Sequence, residues 1–481
     1  MGVKGLQSFM ERCCPEACVT VNLREMARQH VAKSPTIVVD GMACLRHWYK
    51  CRDWVCGGQW GEYMDVLKSW VEAFTSAGIR LVFFFDGLVT EHKRREWVKR
   101  RHRVNREISK IFRHMKAHGE QPGRELFCLP SGLATFTGFA LRSLGQEVFC
   151  SVQEADYEIA SYAYQNCSMG ILSQDTDFIV YDSAPYLSVA KLQIDSLTTV
   201  LYDRQRLCCS IGLAVAQLPL LACLLGNDVV SQEQMQHIRN KALSTYRCLS
   251  FTLGFAPIKN TGLIPACLNL SASQREILKS GISSYLLPRQ EGVQHGDKSA
   301  LSTVPCATLP YCVIHCGFPQ ACREKHVAVD GFMVYCVLWE GVVECSNTLE
   351  DEDDVELLPQ ALVYRPCRQL IYGLLLLNGH HAVREWFVYP GNPLQEPDIV
   401  HSVPVNLPCD KPSLDLLWLG SGPDVASLRL KSFLSIFDCL DFLELHGTIE
   451  DSLFAALCLV TYIALQVLSS FFVSLIVFSK Y

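Results

Sequence analysis

The chain has 481 residues, of which 49% are hydrophobic and 19% charged, and its formal net charge is −6. That length predicts two or three domains, each with a core of its own, and the composition excludes a disordered or collagen-like chain. A slightly acidic whole excludes a general polyanion binder, so any nucleic-acid contact has to come from a local patch.

The first thirty residues carry Lys4, Glu11, Arg12, Glu16, Arg24 and Glu25 and no apolar stretch of the signal-peptide kind. A secretory leader is not expected, and the 24 cysteines are expected as thiols of the cytosol or nucleus. Residues 1–230 then alternate between short apolar runs and helical stretches. Thr36-Ile37-Val38-Val39 ends at Asp40, the run 81–85 ends at Asp86-Gly87, and Gly170-Ile171-Leu172 ends near Asp175. Ile179-Val180-Tyr181 and residues 187–189 predict further strands. Short buried strands separated by helices predict an α/β fold, a doubly wound parallel sheet with flanking helices whose sites form at the strands' carboxyl ends.

Residues 231–285 read as a helical extension. Residues 286–325, with Pro288, Gly292, Gly296, Pro305, Pro310 and Pro319, read as a linker, and 326–481 as a smaller mixed α/β region. Within that last region Glu350-Asp351-Glu352-Asp353-Asp354 predicts a solvated loop, residues 370–377 an apolar helix, and 385–393 a strand followed by a tight turn. Residues 452–479 carry no charge, and by length alone they could span a bilayer. The flank before them is acidic, with Asp438, Asp441, Glu444, Glu450 and Asp451, where a cytoplasmic flank carries Lys or Arg. A buried core helix with an irregular end is expected there, and no membrane partner.

Seven carboxylates lie where such a topology gathers them. Asp40 and Asp86 end strands, Glu154 and Asp156 open a helix, Asp175 and Asp177 follow the third strand, and Asp228 follows the apolar run 218–225. Each alone reads as a helix cap. Together they would repel one another and resist ionisation unless cations, protons or basic partners relieved them. Oxygen-only ligands suit Mg²⁺ or Mn²⁺, and two such ions about 4 Å apart serve phosphodiester hydrolysis. Residues 92–116 add Lys93, Arg94, Arg95, Lys99, Arg100, Arg101, Arg103, Arg106, Lys110, Arg113 and Lys116, opposed by Glu96 and Glu107 alone. A helix so charged can cradle a nucleic-acid backbone, or it is a solvated helix or an import signal.

Two resemblances follow from these residues. Met1-Gly2-Val3-Lys4-Gly5-Leu6, Val38-Val39-Asp40, Phe84-Phe85-Asp86-Gly87, Glu154-Ala155-Asp156, Asp175-Thr176-Asp177 and Gly226-Asn227-Asp228 resemble the flap endonuclease/XPG group. That resemblance implies a PIN-like fold, and it makes Asp40, Asp86, Glu154, Asp156, Asp175, Asp177 and Asp228 candidate metal ligands. The nuclease reading puts Asp86, Glu154, Asp156 and Asp175 on one ion, Asp177 and Asp228 on a second, and Lys93 and Arg100 on the scissile phosphate. Lys93, Lys99, Arg100, Arg101, Arg103 and Arg106 become the candidate nucleic-acid contacts, lying where those nucleases carry a helical arch.

The second resemblance covers nearly the whole chain. Cys56-Gly57-Gly58-Gln59-Trp60, Glu96-Trp97-Val98-Lys99-Arg100-Arg101, Glu120-Gln121-Pro122-Gly123-Arg124, the segment 218–228 and Glu344-Cys345-Ser346-Asn347-Thr348-Leu349 are similar to the family of constitutive coactivators of PPAR-gamma. It implies a nuclear, also cytoplasmic, protein that activates PPAR-gamma without ligand and promotes fat-cell differentiation. The retinoid X receptor and the estrogen receptor are implied as further partners, and no cofactor is implied for coactivation. A related branch of the family binds RNA. The chain departs from both patterns. Residues 229–253 lack the glycines of the nucleases' helix–hairpin–helix, which argues against duplex cleavage. The family's repetitive insertion before Cys345 and its Arg/Gly-rich end are missing, as in a short form.

Two smaller signals remain. Leu221-Ala222-Cys223-Leu224-Leu225 fits the L-x-x-L-L pattern of receptor-docking helices, but it sits in a run apolar on all sides and reads as core. Cys306, Cys312, His315, Cys316, Cys322 and His326 have no regular zinc spacing and read as incidental. Three functions stay open at this point: a coactivator on a nuclease-like scaffold, a Mg²⁺-dependent nuclease, and an RNA- or single-strand-binding protein that does not cleave.

Overall fold

The residues described in the computed structural model of the chain are 2–32, 34–230, 233–236, 270–287, 318–331, 333–354, 358–376, 382–407 and 413–478. The chain divides into two units, Met1–Trp97 with Leu133–Ala300, and Val98–Gly132 with Leu301–Tyr481.

In the first unit Cys18–Asn22 (β1), Thr36–Asp40 (β2), Arg80–Phe85 (β3), Glu147–Cys150 (β4), Gly170–Ser173 (β5), Tyr186–Ser188 (β6) and Thr198–Tyr202 (β7) form one sheet. Its order is β1-β7-β6-β5-β2-β3-β4. The apolar runs make its centre: β2 is buried along its whole length, β5 likewise, and β3 from Leu81 onward. Strands buried on both faces lie parallel with helices over them, and β2–β3, β3–β4, β2–β5 and β5–β6 all pair parallel. This is the expected α/β sheet, parallel at its centre. From β2 the chain proceeds to β3 and β4 on one side and to β5 and β6 on the other. That divergence opens a crevice at the carboxyl ends of β2 and β5, where Asp40 ends one strand and Asp175 follows the other.

Two differences from the sequence reading have physical causes. Ile179-Val180-Tyr181 is not a strand, because Asp177–Val180 forms one turn of buried helix. Asp175 Oδ1 accepts the Asp177 N–H at 3.0 Å and starts that turn, and an apolar run on its own does not tell a buried helix from a strand. The run 218–225, read from sequence only as apolar core, is a helix, Leu218–Leu225, with Pro219 in its first turn. The edge pair β1–β7 is antiparallel and half-exposed, so its short, mixed strands carry no continuous apolar signal.

In the second unit Val342–Cys345 (β8), Ala382–Phe387 (β9) and Asp398–His401 (β10) form a three-stranded sheet in the order β10-β9-β8. The helix Arg365–Leu375 packs on it through Tyr372 and Leu375, against Val343, Val383, Phe387 and Val400. A Cβ on Gly373 would stand 1.8 Å from the Val403 carbonyl oxygen, so only glycine allows that approach. The same helix meets the sheet through Glu385, whose carboxylate is fully buried. Arg368 donates to its two oxygens at 2.6 and 2.8 Å, and the Tyr372 hydroxyl donates at 2.7 Å. The expected linker ends early, because Phe318–Val327 is helical, and 288–317 lie outside the described residues. The acidic run is a loop in which Asp351 and Asp353 pair with Lys116 at 2.7 and 3.2 Å.

The apolar tail forms the helix Asp451–Phe478. It packs Phe454 and Cys458 against Leu434 and Cys439, and Tyr462 against Cys367 and Ile436. Among the residues described with their side chains, which in this helix end at Val467, no single helix is long and apolar enough to cross a membrane.

Candidate functional site

The crevice is built from the strand ends upward. Asp40, buried at the end of β2, has both carboxylate oxygens engaged. Oδ1 accepts the Ala43 N–H at 3.1 Å and caps the helix Gly41–Trp48, and Oδ2 accepts the Ser173 hydroxyl at 2.6 Å. Burial pushes its carboxyl up to about 6, while Ser173 and the Ala43 N–H pull the other way. Asp156, in the first turn of the helix Ala155–Gln165, and Asp175 and Asp177, after β5, bring one oxygen each within 4.8 Å of one another. Burial and then the mutual repulsion of these carboxylates hold Asp156 well above the ordinary range and push Asp177 up to about 8. Burial raises Asp175 as well.

The other carboxylates are arranged differently from the expected split over two ions. Glu154 accepts hydrogen bonds from the Thr90 hydroxyl at 2.8 Å and from the Lys93 ammonium, and Lys93 also lies 3.3 Å from Asp228 Oδ2. Burial alone would lower the Lys93 ammonium, but Asp228 and Glu154 outweigh it and hold the group above its ordinary value. Lys93 thus joins two carboxylates at the wall of the cavity. Asp86 is exposed beyond β3 and stands outside the three-carboxylate group. A cavity of about 560 Å³ opens here, lined by Lys93, Glu154, Asp156, Asp177, Asp228 and Tyr285.

Two further lining groups are not among the candidate site residues: Tyr285, which carries no sequence signal, and Asn227, which stands beside Asp228 in its motif. Tyr285 follows the helix Ala272–Ser283, and its hydroxyl donates to Asp177 Oδ1 at 2.8 Å. Asn227 donates to that hydroxyl at 3.2 Å, and its own Oδ1 accepts the Val229 and Val230 N–H groups at 3.0 and 2.7 Å. Tyr285 therefore engages one of the two carboxylate oxygens of Asp177. The donor set still fits one hard divalent cation: Asp156, Asp175 and Asp177 would hold Mg²⁺ or Mn²⁺. Such an ion, when bound, supplies Lewis acidity toward a phosphodiester and an activated water.

The basic stretch is the helix Arg94–His118. Of the candidate contacts, Lys99, Arg103 and Arg106 are exposed and Arg100 is partly so. Arg101 is turned inward. Burial, and then neighbouring Arg100, lower its pKa, and its carbonyl accepts from Asn347 at 3.0 Å. Lys99, Arg103, Arg106, Lys110 and Arg113 are all exposed, at intervals of 4, 3, 4 and 3 residues. At about 100° and 1.5 Å per residue they stand within roughly 80° of arc over about 21 Å, as one basic stripe.

Residues 211–289 match the FAM120A-like domain. The constitutive coactivator of peroxisome proliferator-activated receptor gamma of Bos taurus is 41% identical over 552 residues, covering 97% of this chain and 79% of that protein. The chain belongs to the family of constitutive coactivators of PPAR-gamma. The Mus musculus protein of the same name is 37% identical, over 97% of this chain and 78% of its own length. Among solved structures, the catalytic core of Rad2 in complex with DNA substrate overlaps 60% of this chain and 81% of its own, at 15% identity and a TM-score of 0.33. In this member of the coactivator family the FAM120A-like segment supplies Asn227, Asp228 and Tyr285 to the cavity.

The L-x-x-L-L run lies on the helix Leu218–Leu225, with Leu221 and Leu225 packed on the main core and Leu224 on the neighbouring cluster. Of the cysteine and histidine cluster, Cys306, Cys312, His315 and Cys316 lie outside the described residues, and Cys322 and His326 are buried. Most of the stretch expected to replace the helix–hairpin–helix, 231–232 and 237–253, also lies outside them.

Proposed function

We propose that this chain acts in the nucleus as a ligand-independent coactivator of PPAR-gamma, with the retinoid X and estrogen receptors as related partners, and promotes fat-cell differentiation. The observation that carries the reading is the coactivator name borne by relatives 41% and 37% identical across 97% of the chain. The crevice is compatible with it: Lys93 bridges Glu154 and Asp228, and Tyr285 donates to Asp177, so part of the carboxylate cluster has internal partners. The test is a PPAR-gamma reporter in cells without added ligand. Expression of this chain raises the signal under this reading, and an unchanged signal from nuclear, folded protein sinks it.

The basic stripe supports a second reading, binding of RNA or single-stranded DNA. Cleavage is the stronger form of that reading, and it rests on Asp156, Asp175 and Asp177 as ligands of Mg²⁺ or Mn²⁺. Labelled flap DNA, single-stranded DNA and RNA incubated with the purified chain and either ion test it. Cleavage that disappears in Asp156→Asn, Asp175→Asn supports an enzyme. Binding without cleavage leaves the stripe as a recognition surface.

A further inference from the structure

Residues 432–479 contain no Lys or Arg, and their charges are Asp438, Asp441, Glu444, Glu450 and Asp451. The short 3-10 helix Leu440–Leu445 leaves Leu440, Leu443 and Leu445 exposed. The helix that starts at Asp451 buries Phe454, Cys458 and Tyr462 on one side. It leaves Leu453 58%, Leu457 37% and Val460 62% exposed on another. Those three stand at i, i+4 and i+7, within roughly 60° of arc. That is the spacing with which an amphipathic helix sets its anchors into a groove on a partner. A single exposed leucine is ordinary, but seven exposed large aliphatic side chains within 438–460, Leu459 included, in a stretch that also carries five acids ask for a cover. Among the described residues none of the five acids meets a Lys or Arg, and Asp451 lies 3.5 Å from His446.

The charge selects among covers. An anionic lipid surface repels these five acids, and residues 432–479 hold no Lys or Arg to offset them. A second copy brings two identical sets of acids together, and like-charge juxtaposition opposes that pairing. A protein groove that is apolar inside and lined with Lys and Arg at its edges gains from both the leucines and the acids. We propose that residues 440–460 are a docking surface for such a basic-rimmed groove, and that the partner carrying it is PPAR-gamma. The second half of this inference rests on the coactivator reading.

The experiment uses the full chain and the purified PPAR-gamma ligand-binding domain as the probe, with affinity read at two salt concentrations. Leu453→Ser, Leu457→Ser, Val460→Ser weakens binding about tenfold or more, because it removes the anchors. Glu450→Lys, Asp451→Lys weakens it several-fold and flattens its salt dependence. If wild type binds and both variants bind as well as it does, this surface is overturned while the coactivator reading stands. Wild type that does not bind overturns both. Light scattering and flotation with phosphatidylcholine–phosphatidylserine vesicles cover the other occupants. A dimer or vesicle binding that the triple serine variant abolishes assigns the face to a copy or to lipid and overturns the proposal. Should the triple variant fail to fold, the charge reversal alone decides.

Discussion

Replacing Lys93 by Met keeps most of the side-chain stem and takes away the ammonium that joins Glu154 to Asp228. The ammonium hydrogen-bonds one carboxylate and lies 3.3 Å from the other, and the three side chains are 24%, 31% and 25% exposed. An exposed ion pair contributes about 0–1 kcal/mol. Removing one partner of a fully buried pair costs about 3–5 kcal/mol, because the remaining charge stays desolvated. A site one-quarter exposed, with two carboxylates left behind, falls between, at about 2–3 kcal/mol. For a unit of this size that lowers the melting midpoint by roughly 4–12 °C. The assay is thermal unfolding of the full chain in EDTA, wild type beside Lys93→Met. Millimolar Mg²⁺ then restores part of the loss in the variant and raises wild type less, since the variant's freed carboxylates gain a cation. A variant melting within about 1 °C of wild type in EDTA would refute the view that Lys93 is the resident counter-ion of this cluster.

Three further outcomes follow from the same structure. Asp40 and Asp177, pushed up to about 6 and about 8, keep protons that carboxyls of the unfolded chain, near 3.8, release. The stability they lend is complete below the unfolded value and is lost as pH rises through 6 and 8. The midpoint in EDTA therefore falls between pH 5 and pH 9, less so with Mg²⁺, and a flat or rising midpoint contradicts the burial. Glu385→Gln leaves the Arg368 guanidinium buried without its carboxylate and destabilises the second unit by about 3–5 kcal/mol. Adding Arg368→Met recovers part of that loss, as denaturant titration of the double-mutant cycle will show if the two residues act as a pair. Lys99→Ala, Arg103→Ala, Arg106→Ala weakens single-stranded RNA binding and lowers the salt slope by about 0.7 for each phosphate that is no longer neutralised. Unchanged binding removes the stripe from consideration.

The central sheet was legible because Thr36–Asp40, Arg80–Phe85 and Gly170–Ser173 are short, apolar and each followed by a turn at an acid or glycine. The acids at their ends could be named for the same reason, since a parallel sheet sends its carboxyl ends to one edge. Which acids would meet was not legible. Asp40 is drawn off by Ser173, and Glu154 and Asp228 by Lys93, through pairings across 133, 61 and 135 positions of sequence that no local pattern encodes. Tyr285 was invisible because its role depends on where the helix Ala272–Ser283 docks, and Val230, Cys223 and Gly281 settle that by packing. The basic stretch was plain as composition. Only exposure separates Lys99, Arg103 and Arg106, on the open face, from Arg101 beneath Asn347.

The central proposal is that this chain activates PPAR-gamma without ligand and that the carboxylates of its α/β crevice are not needed for that role. Ligand-free reporter activation by wild type and by Asp156→Asn, Asp175→Asn, at matched nuclear levels, tests it most directly. The account predicts equal activation by the two proteins. Activation lost in a variant that still folds would contradict it and place the carboxylate cluster at the centre of the function.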